Sequence, residues 1–434
     1  MLSLLFKDHI QSIVQNLFGS SGVSSDVVVI HSGTPRLYDY DDQEMPFRTL
    51  PCFRYFCPLM GPHHVLILKR DEKPTLIVMY PETFWYENAP VIDSFWSEYF
   101  TIKEVTSLAE VLEMMKKIKQ DAPIALLSDE AFEKIMQGEY GVEHSKEAMR
   151  IIDEMRTKKT AYEIHCITTA NHIAAKGHQS ASARFFEGGS ELDVHHAYLM
   201  GSACTEESLP YPSIVALNEK ASLLHYQKKR LLTHGNLCLI DAGATYLGYA
   251  SDVTRTWIHP QGDTRIKSIL SALILLQQKL CTMVQAGTFT IDLHHKAHLG
   301  IADILYTHHI LKITGDDAIK AGLTSPFFPH GLGHFLGIQT HDVGIPNREI
   351  DTHPLRSFYK NLRTTRQLEV DNVITIEPGI YFIPSLLKKL KESPYSTSIQ
   401  WDVVASLIPY GGMRIEDNIL VTKDGQKNLT RTVQ

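Results

Sequence analysis

The first nineteen residues, MLSLLFKDHIQSIVQNLFG, place apolar side chains three and four apart among polar ones, which predicts an amphipathic helix. Lys7, Asp8 and His9 interrupt its apolar start, so it is too short for a secretory h-region, and no A-x-A cleavage site follows. HVLILK from His64 and TLIVMY from Thr75 are strand-like runs flanking the turn-forming stretch Arg70 to Pro74, and together predict a hairpin. Ser107 and Glu110 have capping-box spacing ahead of Leu108, Val111, Leu112, Met115 and Ile118 at helical period. PIALLSD from Pro123 then reads as a strand. A helical pattern runs from about Ser145 to Phe186. The stretch MRTKKTAYEIH inside it predicts a domain change near residue 155, dividing the chain into 1–155 and 156–434.

The second part changes character. LCLIDAG and YASDVTRTW predict an antiparallel pair, SILSALILLQQKLCTMVQ from Ser268 a helix, and NVITIEPGIYF and RIEDNILVT further strands. These elements do not alternate as strict βαβ units, so the expected class is α+β, with helices on one face of a sheet, behind a smaller α/β N-terminal domain. A length of 434 residues and 49.0 kDa accommodates two to three domains of about 150 residues.

Composition narrows the function classes. With 44% hydrophobic and 21% charged residues the chain can bury a large core, which excludes disorder, a collagen and a disulfide miniprotein. A net charge of -7 and a pI near 6.3 give no electrostatic reason to expect nucleic acid or an anionic membrane as partner. No run approaches the roughly 18 apolar residues of a membrane span. The six cysteines are scattered, which argues against a zinc knuckle or a disulfide framework and suits a reducing cytoplasm. Histidine is concentrated: 16 of the 22 lie between His165 and His341, pointing to metal or proton-transfer chemistry there.

Asp241 and Asp252 flank a Gly-Tyr turn region and are able to face each other across a hairpin, although two strand-ending aspartates alone are commonplace. His330 and His334 in PHGLGHFLG are four apart, but Gly331, Gly333 and Gly337 predict a close-packed loop rather than a helix. The stretch is neither H-E-x-x-H nor a dinucleotide fingerprint. His341 follows seven residues after His334. Glu377 and Glu416 lie in strands so apolar that their charges need partners, because an isolated buried carboxylate costs several kcal/mol or more. Arg414, two positions from Glu416, cannot neutralise Asp241, Asp252, Glu377 and Glu416 alone, whereas two divalent cations can. With His334 as the one imidazole the set is oxygen-rich, which suits Mn²⁺ better than thiolate sites do, while affinity order favours Co²⁺ or Zn²⁺.

The succession DAG, Asp252-Val-Thr-Arg, HGLGHFLGIQTHD, IEPGIYF and GGMRIEDN resembles the dinuclear pita-bread metallopeptidases, and among them the bacterial Xaa-Pro dipeptidases. YPSIVALNEKASLLHY, IEPGIYFIPSLL and DYDDQEMPFR extend the resemblance over nearly the whole chain. It implies a C-terminal pita-bread fold of two pseudo-twofold related α/β halves, an N-terminal domain used in homodimerisation, and two Mn²⁺ per subunit. By the same resemblance Asp241 chelates one metal, His334 and Glu377 the other, and Asp252 and Glu416 bridge both. A hydroxide shared by the two ions then hydrolyses an Xaa-Pro dipeptide to an amino acid and proline, with Glu377 as proton shuttle. His330, His341 and Arg414 are expected at the substrate carboxylate and the oxyanion, His225 near the scissile carbonyl, and Tyr211 among the substrate-binding residues. In resembling enzymes an acidic residue of the N-terminal segment closes the partner subunit's pocket; Asp41 and Asp42 are the candidates, with Trp85 as an aromatic wall. The rival readings are an organophosphorus ester hydrolase using the same site, an aminopeptidase P acting on longer peptides, and a metal-free pita-bread binding module.

Overall fold

The computed structural model describes residues 1–81, 83, 94–231, 234–344, 353–359, 362 and 365–431. It resolves into two compact units, one of Met1–Arg156 with Thr160–Ile164, the other of Thr157–Lys159 with His165–Gln434. In the first unit the opening helix spans Leu2–Leu17 and buries Phe6, His9, Ile10, Ile13 and Leu17, the apolar stripe of its period. The hairpin forms between Val65–Lys69 and Thr75–Met79, with Val65 opposite Ile77. Both strands belong to a five-stranded mixed sheet in which Val27–His31, lying between Val65–Lys69 and the edge strand Ile124–Leu127, is buried along its length. The helix Leu108–Asp121 starts where the Ser107 side chain accepts from the Glu110 N–H. A second helix, Glu130–Tyr140, is capped by Asp129 and stopped by left-handed Gly141. Val111, Met115, Phe132 and Met136 from these helices pack on Val27, Val29, Val65 and Leu126 of the sheet.

The second unit holds the expected antiparallel pair, Leu237–Asp241 with Thr254–Ile258, and Asp241 stands opposite Thr254. The strand Ile214–Leu217 extends this sheet on the other side of Leu237–Asp241. The helices Thr264–Thr282 and Thr290–Thr307 share one large apolar core with the last strands of the chain. As its glycines require, PHGLGHFLG is a loop: a Cβ on Gly333 would lie 1.9 Å from the Thr375 carbonyl oxygen.

The two late strands differ from the expectation in one respect. NVITIEPGIYF forms Val373–Ile376 and Gly379–Tyr381, and its partner forms Gly412–Arg414 and Asp417–Thr422. Ile376 pairs with Asp417 before the gap and Gly379 with Arg414 after it, so one antiparallel register runs through and sets Glu377 directly opposite Glu416. Pro378 has no N–H for the ladder, and like charges face to face oppose close pairing. The ladder therefore opens at the two glutamates. Among the described residues no helix is long and apolar enough to cross a membrane.

Candidate metal centre

Four segments bring the acidic residues together. The Leu237–Asp241 strand ends in Asp241, the turn before Thr254 carries Asp252, and the opened ladder supplies Glu377 and Glu416. The glycine loop adds His334, whose N–H donates to Thr375 Oγ1 (3.1 Å) while its carbonyl accepts from the Thr375 N–H (2.9 Å). Two more backbone bonds tie these segments: the Glu377 N–H donates to the Leu332 carbonyl (2.8 Å), and the Glu416 N–H to that of Thr254 (3.1 Å).

Side-chain atoms of Asp252, His334 and Glu416 all lie within 4.8 Å of one another, and all three residues are buried. Tyr211 Oη is 2.8 Å from Asp241 Oδ1 and 2.6 Å from Asp252 Oδ1. One hydroxyl proton cannot fully satisfy both carboxylates, so negative charge is left over at this point. His334 Nε2 lies 3.3 Å from Asp252 Oδ2 and 3.7 Å from Glu377 Oε1. Its Nδ1 is 2.9 Å from the Phe335 carbonyl, a bond that fixes the ring with Nε2 turned toward the carboxylates, the orientation a metal-ligating imidazole needs.

Arg414 answers part of this charge. Its Nη2 reaches Asp241 Oδ2 at 2.5 Å, its Nε donates to Thr254 Oγ1 at 3.0 Å, and its Nη1 donates to Tyr381 Oη at 2.9 Å. Thr254 Oγ1 in turn donates to Glu416 Oε2 at 2.8 Å. His330 holds the Gly331 carbonyl with Nδ1 (2.8 Å), so Nε2 accepts the Tyr381 hydroxyl (2.8 Å). Both of its nitrogens are thereby engaged within the protein.

The electrostatics carry the mark of excess acid. Burial raises Asp241 despite Arg414, and burial with repulsion from Asp252, Glu377 and Asp241 raises Glu416 far above the carboxylate range. Glu377 is pushed up to about 7, by burial first, with His334 and Arg414 pulling the other way. Burial would lower His334, but Asp252 and Glu377 raise it above the ordinary imidazole value. Among the described residues four carboxylates confront one guanidinium, and the donor set is oxygen and imidazole without a thiol. That chemistry suits divalent cations.

The structure distributes the remaining sequence candidates unevenly. The His341 ring is exposed but packs edge-on against His334, with centroids 4.4 Å apart. Tyr211 binds the acidic cluster itself. His225 is exposed and takes no part in these contacts. Asp42 is exposed in the first unit, and Trp85 lies outside the described residues. Three contributors escaped sequence reasoning: Thr254, Tyr381 and Asn418, whose amide clamps Asp252 by accepting from its N–H (3.1 Å) and donating to its carbonyl (2.5 Å). An asparagine within the otherwise apolar NILV run was the available signal for the last.

Comparison with known proteins agrees with this geometry. Residues 165–423 match the profile described as metallopeptidase family M24, and residues 4–147 that of the Xaa-Pro dipeptidase N-terminal domain. The Xaa-Pro dipeptidase of Shewanella woodyi is 38% identical, covering 98% of this chain and 97% of its own length. That of Pseudoalteromonas haloplanktis is 37% identical, covering 100% and 99%. A structure of Escherichia coli aminopeptidase P superposes with a TM-score of 0.78 at 22% identity, covering 100% of this chain and 96% of that one. Its zinc-substituted complex with product gives 0.76, also at 22%. Fold and acidic centre are those of a pita-bread metallohydrolase, and the chain belongs to metallopeptidase family M24.

Proposed function

We propose that the protein hydrolyses Xaa-Pro dipeptides at a site for two divalent ions, Mn²⁺ by preference, releasing an amino acid and proline. The observation that carries this reading is the gathering of Asp252, Glu377 and Glu416 around the His334 imidazole, with Asp241 joined to Asp252 through Tyr211, and Arg414 as the one arginine side chain at the cluster among the described residues. Asp241 would hold one ion, His334 and Glu377 the other, and Asp252 and Glu416 would serve both. When bound, such ions supply a nucleophile at neutral pH and polarise the scissile carbonyl.

The chain's own residues do the rest. A prolyl amide has no N–H, so its nitrogen must gain a proton to leave, and Glu377, whose Oε1 lies 3.7 Å from His334 Nε2 within the cluster, is the carboxylate placed to carry one. Tyr211, raised well above its ordinary value by burial and the two aspartates, stays a neutral donor that orients Asp241 and Asp252. Arg414, fixed by Asp241 and Tyr381, and the exposed ring of His341 offer positive and hydrogen-bonding groups for the substrate carboxylate and the oxyanion. An apolar recess walled by Leu293, Leu332, Ile374 and Ile376 adjoins His334.

Near full-length identity to named Xaa-Pro dipeptidases supports the dipeptide as substrate. The same reading makes the enzyme a cytoplasmic homodimer in which Asp41 or Asp42 closes the pocket of the other subunit. The deciding assay compares Ala-Pro, Ala-Ala and Ala-Pro-Ala, with chelation and Mn²⁺ add-back. Metal-dependent turnover of Ala-Pro alone is expected. Preference for Ala-Pro-Ala would replace it with an aminopeptidase P activity, and no turnover of any peptide would leave a binding module. Asp252→Asn is expected to abolish turnover, and near wild-type rates in that variant would contradict the assignment.

A further inference from the structure

The three residues Thr157–Lys159 group with the second unit, although the chain on either side of them, through Arg156 and from Thr160 to Ile164, groups with the first. They are sewn down by polar bonds. The Lys159 N–H donates to the Asp371 carbonyl (2.8 Å), Asn372 Nδ2 donates to the Thr157 carbonyl (2.9 Å), and Lys158 Nζ pairs with Glu369 Oε2 (2.6 Å). Lys159 then sends its side chain inward. Its ammonium meets Asp342 Oδ2 at 3.1 Å with both side chains sealed from solvent (0% and 2% exposed), and it lies 5.9 Å over the Phe335 ring.

Asp342 is bonded in sequence to His341, and its N–H donates to the Phe335 carbonyl (2.9 Å), closing the stretch from 335 to 342 on itself. The fit inside that loop is tight. A Cβ on Gly337 would stand 2.0 Å from Asp342 Oδ2 and 3.0 Å from Lys159 Cε. The pinned loop begins beside His334 and ends on His341, the two imidazoles that meet edge-on. A sealed ion pair of this kind adds little net stability over an apolar pair of similar size, because desolvation consumes the attraction, yet it fixes two groups in one relative position.

We infer that Lys159 is a positioning residue for the loop Phe335–Asp342: its ion pair with Asp342 holds the His341 ring against His334. Its effect on turnover rests on the dipeptidase reading above, whereas its effect on ring geometry does not. Lys159→Met alters no residue of the loop but takes the ammonium from a buried carboxylate. Lys159→Met/Asp342→Asn removes both charges together and keeps a folded protein for the test.

Two measurements decide it in the full-length chain. In NMR spectra the His341 ring protons are expected to lose the ring-current displacement imposed by His334 in both variants, and unchanged shifts would overturn the inference whether or not the protein hydrolyses peptides. With Mn²⁺ and Ala-Pro, the double variant is expected to keep a wild-type Tm and lose about 100-fold in kcat/KM, the scale of a misplaced contact group. In a His341→Ala background the same pair of changes is expected to cost less than about threefold, because the two residues act as one unit. An equal loss in both backgrounds, or no loss in either, would overturn the inference. Wild-type protein inactive on Ala-Pro would instead remove the dipeptidase reading, leaving the ring shifts to judge the pin.

Discussion

His31 in the first unit and His334 in the second are both buried imidazoles, and they behave oppositely. His31 lies stacked on Phe132 at 3.9 Å, and burial pushes it down to about 3 although Asp129 pulls the other way. His9 and His64 in the same unit are each pushed to about 4 by burial. His334 is equally enclosed, yet Asp252 and Glu377 raise it. Burial alone expels the charge on an imidazole, and only carboxylates held at contact range restore it. The difference separates histidines that fill a core from one set among carboxylates, and the abundance of histidine in the sequence does not reveal it.

The sharpest way to break the comparison is to remove acid from the second unit. Glu416→Gln is expected to abolish metal-dependent turnover and, in metal-free protein, to raise the Tm by about 2 °C or more as repulsion is relieved. A lower metal-free Tm would show that the cluster is not strained by its own charge. Gly333→Ala comes next. Its Cβ cannot fit against the Thr375 carbonyl, so the His334 loop must move, and kcat/KM is expected to fall about 100-fold with the fold retained by circular dichroism.

Acid titration tests the other side. His9, His31 and His64 bind protons at about pH 6.5 when unfolded but only near 3 to 4 when folded, so their contribution is complete above pH 6.5 and is lost as the pH falls toward those values. Between pH 7 and pH 5 each is expected to withdraw about 2 kcal/mol, read as a falling denaturant midpoint. His31→Gln is expected to flatten that slope, and a slope equal to wild type would refute the assignment of His31. The smallest effect belongs to Ser107→Ala, an exposed cap far in sequence from the acidic centre: about 0.5–1 kcal/mol of stability with turnover unchanged.

Local signals were sufficient for much of the architecture. The Arg70–Pro74 turn, the Ser107 cap and the Asp241–Thr254 pairing each follow from residues close together in the chain, where period and turn chemistry act directly. The opening of the ladder at Glu377 and Glu416 did not follow, because apolar alternation continues through both and only Pro378 betrays the gap. The acidic cluster was legible through its sheer cost, as four carboxylates in apolar settings require a common remedy. Tyr381 and Thr254 were not, since a hydroxyl bridging Arg414 to His330 or Glu416 depends on groups more than thirty residues away. His225 looked like a site residue by its motif and emerges exposed.

The unbroken register across the opened ladder also constrains how this molecule can diverge. Ile376–Asp417 and Gly379–Arg414 leave two residues on each strand between them. Adding or deleting a single residue on one strand would slide one glutamate past the other and turn the following side chains to the opposite face. Surface loops elsewhere can lengthen or shorten at modest cost, but descendants of this sequence must conserve spacing here even where they exchange the residues themselves.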